Sequence, residues 1–263
     1  FIKHAPNQLE RAKYSAFRER SIGLGAMGFH AYLQRHNIPF ESAMAKGRNL
    51  QMFSRIKGEA VRASETLAME RGACPDDDTG RYRNAHLMAI APNASSSIIC
   101  GNTSPSIEPY RANAFTQKTK SGSSLLKNEY LEAILQDLGE DTEEVWKSII
   151  TNNGSVQHLD FLDDWTKEVF KTAVEIDQRW VIEMAADRQE FICQSQSLNI
   201  FFPSNVSKQE LHAIHMMAWK RGVKTLYYLR SEAYRRAETV SDEVLRQRIF
   251  ESIDEDGCLA CEG

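Results

Sequence analysis

The stretch SLNIFFPSNVSKQELHAIHMMAWKRGVKTLYYL, residues 197–229, contains two strand-like segments with a helix-like segment between them. Residues 197–202 are apolar and aromatic, and residues 223–229 have the same character. A strand, a helix and a second strand in this order are typical of a unit with parallel strands. This stretch therefore predicts an α/β fold.

The helix between the two strands has a recognisable signal at each end. Ser207 has the side chain of a helix N-cap, and Glu210 stands at the spacing of a capping box. Gly222 is typical of a residue that ends a helix. We therefore predict a helix from Ser207 to Arg221.

A third strand is predicted further upstream. Residues 86–91, HLMAIA, form a short apolar run that Pro92 terminates, and this length suits a buried strand better than a helix. Three strands cannot close a barrel or complete a wide sheet, so we expect the chain to be part of a larger α/β unit. The other predicted helices are Ala12–Gln34, Glu41–Arg71, Lys127–Leu138, Thr142–Thr151 and Asp164–Cys193, the last with at most one break. Residues 116–124 are predicted as a polar loop.

Composition restricts the class of protein. Of 263 residues, 42% are hydrophobic and 26% are charged, which is typical of a globular domain. The net charge of −4, without a dense Lys/Arg run, argues against nucleic acid as a partner. No apolar run reaches the roughly 18 residues of a membrane span. Five scattered cysteines do not make a disulfide scaffold, so a reducing, cytoplasmic setting is expected.

Residues 23–28, GLGAMG, match the G-x-G-x-x-G pattern of dinucleotide-binding folds. That motif requires a buried strand before it and a helix that opens at its glycines. Residues 17–22 are charged and helix-forming instead, and Glu41 opens a helix where the end of a second strand would be needed. We therefore interpret the glycines as positions that let two helices pack closely.

Small polar residues follow the strand at 86–91. They are Asn93, Ala94, Ser95 and Ser96. Backbone N–H groups and hydroxyls can converge in such a segment, and the positive end of a helix dipole attracts an anion. A phosphate site and a serine-rich helix cap fit this segment equally well.

Tyr227 and Tyr228 are neighbours near the end of the last predicted strand. Adjacent residues of a strand normally face opposite sides, so packing in the core is the ordinary expectation. The functional alternative is a redox relay. A tyrosine can lose an electron and a proton together, and neighbouring phenols can pass an oxidising equivalent in short steps.

Cys258 and Cys261 form a C-x-x-C pair in a charged C-terminal tail. With His212 and His215, four zinc ligands can be counted. A structural zinc site needs fixed geometry, whereas the composition of this tail indicates disorder. A close dithiol on such a tail suits thiol–disulfide exchange with a buried site and an external reductant, and we favour this interpretation.

These motifs, in this order, resemble the C-terminal part of class I ribonucleotide reductase large subunits. The stretches that carry the resemblance are RSIGLGAMGF at 20–29, NAHLMAIAP at 84–92, SPSIEP at 104–109, GVKTLYY at 222–228 and the terminal cysteine pair. The first is similar to a helical glycine segment of the family. The Tyr-Tyr stretch is the most specific of the five.

The resemblance implies the C-terminal portion of a ten-stranded α/β barrel, with helices outside parallel strands. The barrel part would span residues 1–237 and a flexible tail 238–263. Within the barrel part, the implied subdivisions are a helical segment at 1–72, a phosphate loop at 86–101 and the last strand at 223–229.

The resemblance also implies roles for the candidate residues. The diphosphate of a ribonucleoside diphosphate would be bound by Asn93, Ala94, Ser95 and Ser96. Tyr227 and Tyr228 would relay a radical between a small subunit and a catalytic cysteine. The thiyl radical would remove the ribose 3′-hydrogen, and a cysteine pair would supply the electrons. Cys258 and Cys261 would then reduce the resulting disulfide and be reset by thioredoxin or glutaredoxin.

Some parts of a complete large subunit are not found in this sequence. The Asn-x-Cys-x-Glu pattern of the family's radical cysteine is absent, and Cys74, Cys100 and Cys193 do not fit its place. We therefore expect the preceding part of the large subunit on another polypeptide, including the region for ATP or dATP effectors. The segment itself is expected to bind no metal or cofactor, since the metal-radical cofactor would belong to the small subunit. Alone, the chain should be inactive.

Two other functions remain open at this point. The chain could be a non-catalytic assembly module that binds a partner through unpaired strands. It could also be a small thiol-redox or zinc-binding protein centred on Cys258 and Cys261. Metal analysis would separate the last alternative from the reductase interpretation.

Overall fold

A computed structural model describes residues 2–119 and 122–231 of the chain, and it contains both helices and strands. The helices are α1 (Glu10–Glu19), α2 (Phe29–Arg35), α3 (Ala43–Arg71), α4 (Ala94–Ile99), α5 (Glu129–Leu138), α6 (Glu143–Thr151), α7 (Asp164–Val169), α8 (Gln178–Gln189) and α9 (Lys208–Lys220). The strands are β1 (Ala114–Thr119), β2 (Gly122–Lys127), β3 (Ile200–Phe202) and β4 (Leu229–Ser231). A short 3-10 turn, Asn7–Leu9, precedes α1.

Four extended segments lie side by side and run in the same direction. β3 pairs with β4 in parallel. Single parallel bridges join Leu24 to Met88 and Ile90 to Gln196. The order across this parallel sheet is 22–24, 86–90, 194–202 and 227–231. The α/β prediction with parallel strands is therefore confirmed, and the four segments form part of a barrel wall.

The main core lies between this sheet and the helices α2, α3, α8 and α9. Met88 and Ile90, in the predicted strand at 86–91, are buried there. The predicted caps of α9 are also confirmed. Ser207 Oγ accepts a hydrogen bond from the N–H of Glu210 at 3.1 Å, and Gly222 follows the helix with a positive φ of 76°.

A second, smaller core surrounds a hairpin that the sequence did not reveal. Residues 116–124 were expected to form a polar loop, but they belong largely to β1 and β2, which pair antiparallel. Polar side chains outnumber apolar ones in these strands, so neither strand has a strong apolar pattern of its own. Ala114, Leu131 and Trp146 tie the hairpin to α5 and α6.

The predicted helix over residues 164–193 is divided in two. α7 ends at Val169, and α8 begins after Asp177, whose side chain accepts a hydrogen bond from the N–H of Arg179. This N-cap explains the single break. The last strand also begins later than predicted, because regular pairing starts at Leu229 rather than at Val223.

The glycine segment at 20–28 is extended, which corrects two predictions. The helix predicted over 12–34 is interrupted between α1 and α2, so the segment 1–72 is not continuously helical. The N–H of Ile22 donates to His86 O at 3.0 Å, and the N–H of Leu24 donates to Leu87 O at 2.8 Å. The glycines therefore let two extended segments approach each other, and not two helices.

Close backbone approach explains why glycine occupies these positions. A Cβ at Gly25 would lie 2.8 Å from Ala89 O, and a Cβ at Gly23 would lie 3.2 Å from Ala89 Cβ. Both distances are shorter than ordinary van der Waals contact. The first two segments of the parallel sheet can pair only because these side chains are absent.

Gly25→Ala is therefore expected to destabilise the chain by about 1–3 kcal/mol, the usual cost of overpacking. The added methyl group would press on a backbone oxygen that cannot move without breaking the sheet. Gly47→Ala is the matched control, because a Cβ at this position of α3 meets nothing within 4 Å. It should stabilise the chain by about 0.5–1 kcal/mol. Urea unfolding midpoints check both values, and equal midpoints for the two variants would contradict the prediction.

Candidate functional site

The two motifs expected to carry chemistry lie at a similar level across the parallel sheet. Ile90 forms a bridge with Gln196, and residues 93–96 begin three residues after Ile90. Thr225 Oγ1 donates to Gln196 O at 2.8 Å, and residues 227–228 follow two or three residues later. At about 3.3 Å per residue, both motifs stand roughly 7–10 Å further along. Residues 93–96 lie at the carboxyl end of their segment, where α/β proteins bind ligands, whereas Tyr227 and Tyr228 directly precede β4, which continues beyond them.

The segment of residues 93–96 turns sharply into a short helix. Asn93 has a positive φ of 51°, and α4 begins at Ala94. Ser95 and Ser96 are exposed, and the side chain of Asn93 makes no capping hydrogen bond at the helix start. The first N–H groups of a helix have no partner within it. The exposed hydroxyls and the first-turn N–H groups are thus available to a ligand.

Residues 97–103, which follow this turn, pack closely against Gly28 at the end of the glycine segment. Ser97 is buried, its hydroxyl donates to Ala94 O at 2.9 Å, and its carbonyl accepts the N–H of Thr103 at 3.1 Å. A Cβ at Gly28 would lie 2.6 Å from Thr103 Oγ1. Gly28 thus allows residues 97–103 to fold tightly against the start of α2.

Tyr227 and Tyr228 lie on the same side of the chain, with ring centroids 4.0 Å apart and an interplanar angle of 51°. Their exposed fractions are 51% and 37%, so they are not core residues. The expectation that they face opposite sides and pack in the core is therefore wrong. The arrangement agrees with the alternative in which two phenols exchange an oxidising equivalent.

Backbone hydrogen bonds explain why the usual alternation fails. The N–H of Tyr227 donates to Leu198 O at 2.8 Å, and the N–H of Tyr228 donates to Asn199 Oδ1 at 3.0 Å. Consecutive N–H groups of a regular strand point in opposite directions. Here both point to the same neighbouring segment, so the local backbone is not a regular strand and the two rings come together.

Arg230 contacts the tyrosine pair, and Glu108 and Arg111 lie near Arg230. Glu108 Oε1 accepts the N–H of Asn199 at 3.3 Å, and the Arg230 Cζ lies 4.3 Å from the Tyr228 ring centroid. Arg111 lies over the ring of Phe201 at 5.6 Å. No carboxylate among the described residues forms an ion pair within 4.0 Å of either arginine.

The pKa values in this cluster follow from burial and from the neighbouring charges. Burial raises the pKa of Glu108, and its hydrogen bond to Asn199 only partly opposes this effect. Burial and the charge of Arg230 lower the pKa of Arg111. Hydrogen bonding and charge from Tyr228 raise the pKa of Tyr227. The site therefore favours a protonated Tyr227 phenol and carries more positive than negative charge.

Cys258 and Cys261 lie outside the described residues, so their predicted role stays a prediction. Cys74, Cys100 and Cys193 are free thiols. Cys193 Sγ accepts the N–H groups of Leu87 and Met88 at 3.1 and 3.2 Å.

Within residues 2–119 and 122–231, no group of three or more His, Cys, Asp or Glu side chains could hold a metal ion. His212 and His215 lie on α9, and His215 Nδ1 is 2.7 Å from Leu211 O. The zinc alternative requires Cys258 and Cys261, which lie outside the described residues, so the structure does not test it. In the same described part, no helix is long and apolar enough to span a membrane.

The family model for the ribonucleotide reductase barrel domain matches residues 1–82 and 77–229. The chain belongs to this family. The ribonucleoside-diphosphate reductase large subunit of Invertebrate iridescent virus 6 is 51% identical over 246 residues, which cover 92% of this chain and 26% of that protein. The large subunit from Caenorhabditis elegans is 34% identical over 298 residues, covering 97% of this chain and 37% of that protein.

A solved structure with the same fold is the class Id ribonucleotide reductase alpha subunit of Actinobacillus ureae. The TM-score is 0.82 at 41% sequence identity, covering 89% of this chain and 43% of that chain. The chain thus spans 26–43% of the length of these three proteins. The predicted membership of the reductase family and the partial barrel fold are both confirmed.

The residues around the tyrosine pair were missed by the sequence analysis. Glu108 and Arg111 come from one segment, and Asn199 and Arg230 come from two others, so no single motif connects the four residues. The one available signal was the position of Arg230 two residues after Tyr228, which places both on one side of an extended chain.

Proposed function

We propose that this chain is the C-terminal part of a ribonucleoside-diphosphate reductase large subunit. The observation that carries the proposal is the exposed Tyr227–Tyr228 pair, whose rings are in contact at a level of the parallel sheet similar to that of residues 93–96. Family membership makes this geometry meaningful, since the large subunits that match this chain are named as ribonucleoside-diphosphate reductases.

The substrate would be bound through its diphosphate. Asn93, Ala94, Ser95 and Ser96 offer first-turn N–H groups and hydroxyls, which suit phosphate oxygens without a salt bridge. Ser95 and Ser96 are exposed at the carboxyl edge of the sheet, which supports this assignment.

The tyrosine pair would carry an oxidising equivalent from a small subunit towards a catalytic cysteine. That subunit would hold a metal-radical cofactor, which supplies a one-electron oxidant. The thiyl radical would take the 3′-hydrogen of the ribose, and the 2′-hydroxyl would leave as water with a proton from a thiol. Two thiols would supply two electrons as they form a disulfide, and the 3′-hydrogen would return to the ribose, which restores the thiyl radical. Cys258 and Cys261 would reduce this disulfide by thiol exchange and be reset by thioredoxin or glutaredoxin in the cytoplasm.

The active site would need another part of the large subunit, which carries the radical cysteine, its reducing partners and the region for ATP or dATP. In the first segment of the parallel sheet, Ile22 and Leu24 are 49% and 46% exposed. Such an apolar edge is suited to pairing with a further strand. We therefore propose that a strand from the preceding part of the barrel pairs with the exposed edge at residues 22–24.

A reductase assay with purified components tests the proposal. This chain, the preceding part of the large subunit, the small subunit and a dithiol reductant should together convert a ribonucleoside diphosphate to its deoxy form. Omission of any protein should remove the activity. Turnover by this chain with the small subunit alone would contradict the proposal. A non-catalytic assembly module would bind its partners but leave the phosphate segment without a ligand.

A further inference from the structure

We propose that Arg230 is a positioning residue for the Tyr227–Tyr228 pair, holding the Tyr228 ring against Tyr227 and coupling electron loss from that ring to proton loss. This inference rests on the proposed relay. It assigns a function to a residue that no motif in the sequence singled out.

The position of Arg230 follows from the strand that it occupies. β4 pairs Arg230 with Phe201, and the extended chain places Tyr228 and Arg230 on the same side. The guanidinium carbon lies 4.3 Å from the Tyr228 ring centroid, well within the range of a cation–π contact. The ring of Tyr227 also contacts Tyr228, with ring centroids 4.0 Å apart and an interplanar angle of 51°. Arg230 and Tyr227 therefore both hold the Tyr228 ring.

The surroundings of Arg230 leave the tyrosine ring as its main contact. In the described part of the chain, its Nε is buried without a hydrogen-bond partner, and no carboxylate forms an ion pair with it. A buried donor without a partner requires an explanation. The contact with Tyr228 supplies one, because the guanidinium gains its interaction through the ring face instead of through Nε.

Charge explains what the contact does in the relay. When the radical moves between the two tyrosines, one phenoxyl gains an electron and a proton, and the neighbouring phenol loses the same two particles. No further reactant is needed for this exchange, and the first oxidant is the one-electron oxidant that the small subunit would supply. If the electron left the Tyr228 ring before the proton, a ring cation would face a guanidinium. Arg230 disfavours that intermediate and so favours joint transfer.

Three substitutions separate charge from packing. Arg230→Met keeps a long side chain without charge, Arg230→Lys keeps the charge, and Lys220→Met removes a charge from an exposed position of α9. In the assembled reductase, Arg230→Met should lower kcat about tenfold, because the cation–π contact no longer holds the Tyr228 ring beside Tyr227, with KM for the diphosphate unchanged. Arg230→Lys should recover most of kcat, and Lys220→Met should match the unmodified protein.

A second measurement on the full chain needs no turnover. With 3-fluorotyrosine at position 228, the fluorine NMR resonance should shift in Arg230→Met, return towards its original position in Arg230→Lys, and stay unchanged in Lys220→Met. An unchanged resonance and full kcat in Arg230→Met would overturn the inference, as would equal losses in the Met and Lys variants. A different result, full activity of Tyr228→Phe, would contradict the proposed relay itself.

Discussion

Tyr228→Phe is expected to abolish ribonucleotide reduction by the assembled enzyme while diphosphate binding stays unchanged. Phenylalanine keeps the ring and its stack with Tyr227, but it has no O–H to supply a proton with the electron. The radical then cannot reach the cysteine. Removal of one member of an interdependent set costs roughly 10⁴-fold or more in kcat. Steady-state turnover and equilibrium binding of the diphosphate measure the two effects separately.

Tyr227→Phe should have the same effect, because the two phenols act in series. Tyr14→Phe is the matched control, since Tyr14 is 62% exposed on α1 and loses only a hydroxyl. It should keep full activity. If Tyr228→Phe also kept full turnover, the tyrosine pair would not be the route of the radical.

Cys258→Ser or Cys261→Ser is expected to stop turnover when thioredoxin or glutaredoxin is the reductant. The single remaining thiol can attack the active-site disulfide and form a mixed disulfide. It has no neighbouring thiol that could resolve this mixed disulfide by forming a disulfide within the tail. A pre-reduced enzyme should still complete one round, because the first pair of electrons is already in the active site. Single-turnover product yield and steady-state rate, measured on the same variants, check this prediction.

The control for the cysteine variants is Ser252→Ala, which changes a hydroxyl in the same terminal region and no thiol. It should leave both the single round and continuous turnover unchanged. Continuous turnover by Cys258→Ser with the protein reductant would show that reducing equivalents enter by another route. Stoichiometric zinc in the purified chain would instead support the metal-binding alternative.

The sequence predicted those parts of the fold that depend on neighbours along the chain. Ser207 and Gly222 act within a few residues of themselves, so both ends of α9 could be assigned. The apolar run at 86–91 likewise predicted a buried extended segment. Features that depend on distant contacts were missed. The glycine segment looked helical because its constraint comes from Ala89, which approaches Gly25 only in the folded chain.

The candidate site could be predicted only in part for the same reason. The Tyr227–Tyr228 pair was visible in the sequence, but its stacking depends on Leu198 and Asn199, which bind both N–H groups from a neighbouring segment. Arg230 was not identified because its function depends on where that ring lies. Local patterns identified the residue types, and tertiary contacts determined their geometry.

Trapping the radical at position 228 tests the relay most directly. A tyrosine analogue that is more easily oxidised, such as 3-aminotyrosine, would replace Tyr228 in the assembled enzyme, with the same replacement at Tyr14 as the control. Electron paramagnetic resonance should show a new radical at position 228 as the small subunit's oxidant disappears, and none at position 14. Persistence of that oxidant with no signal at position 228 would contradict the assignment of the tyrosine pair.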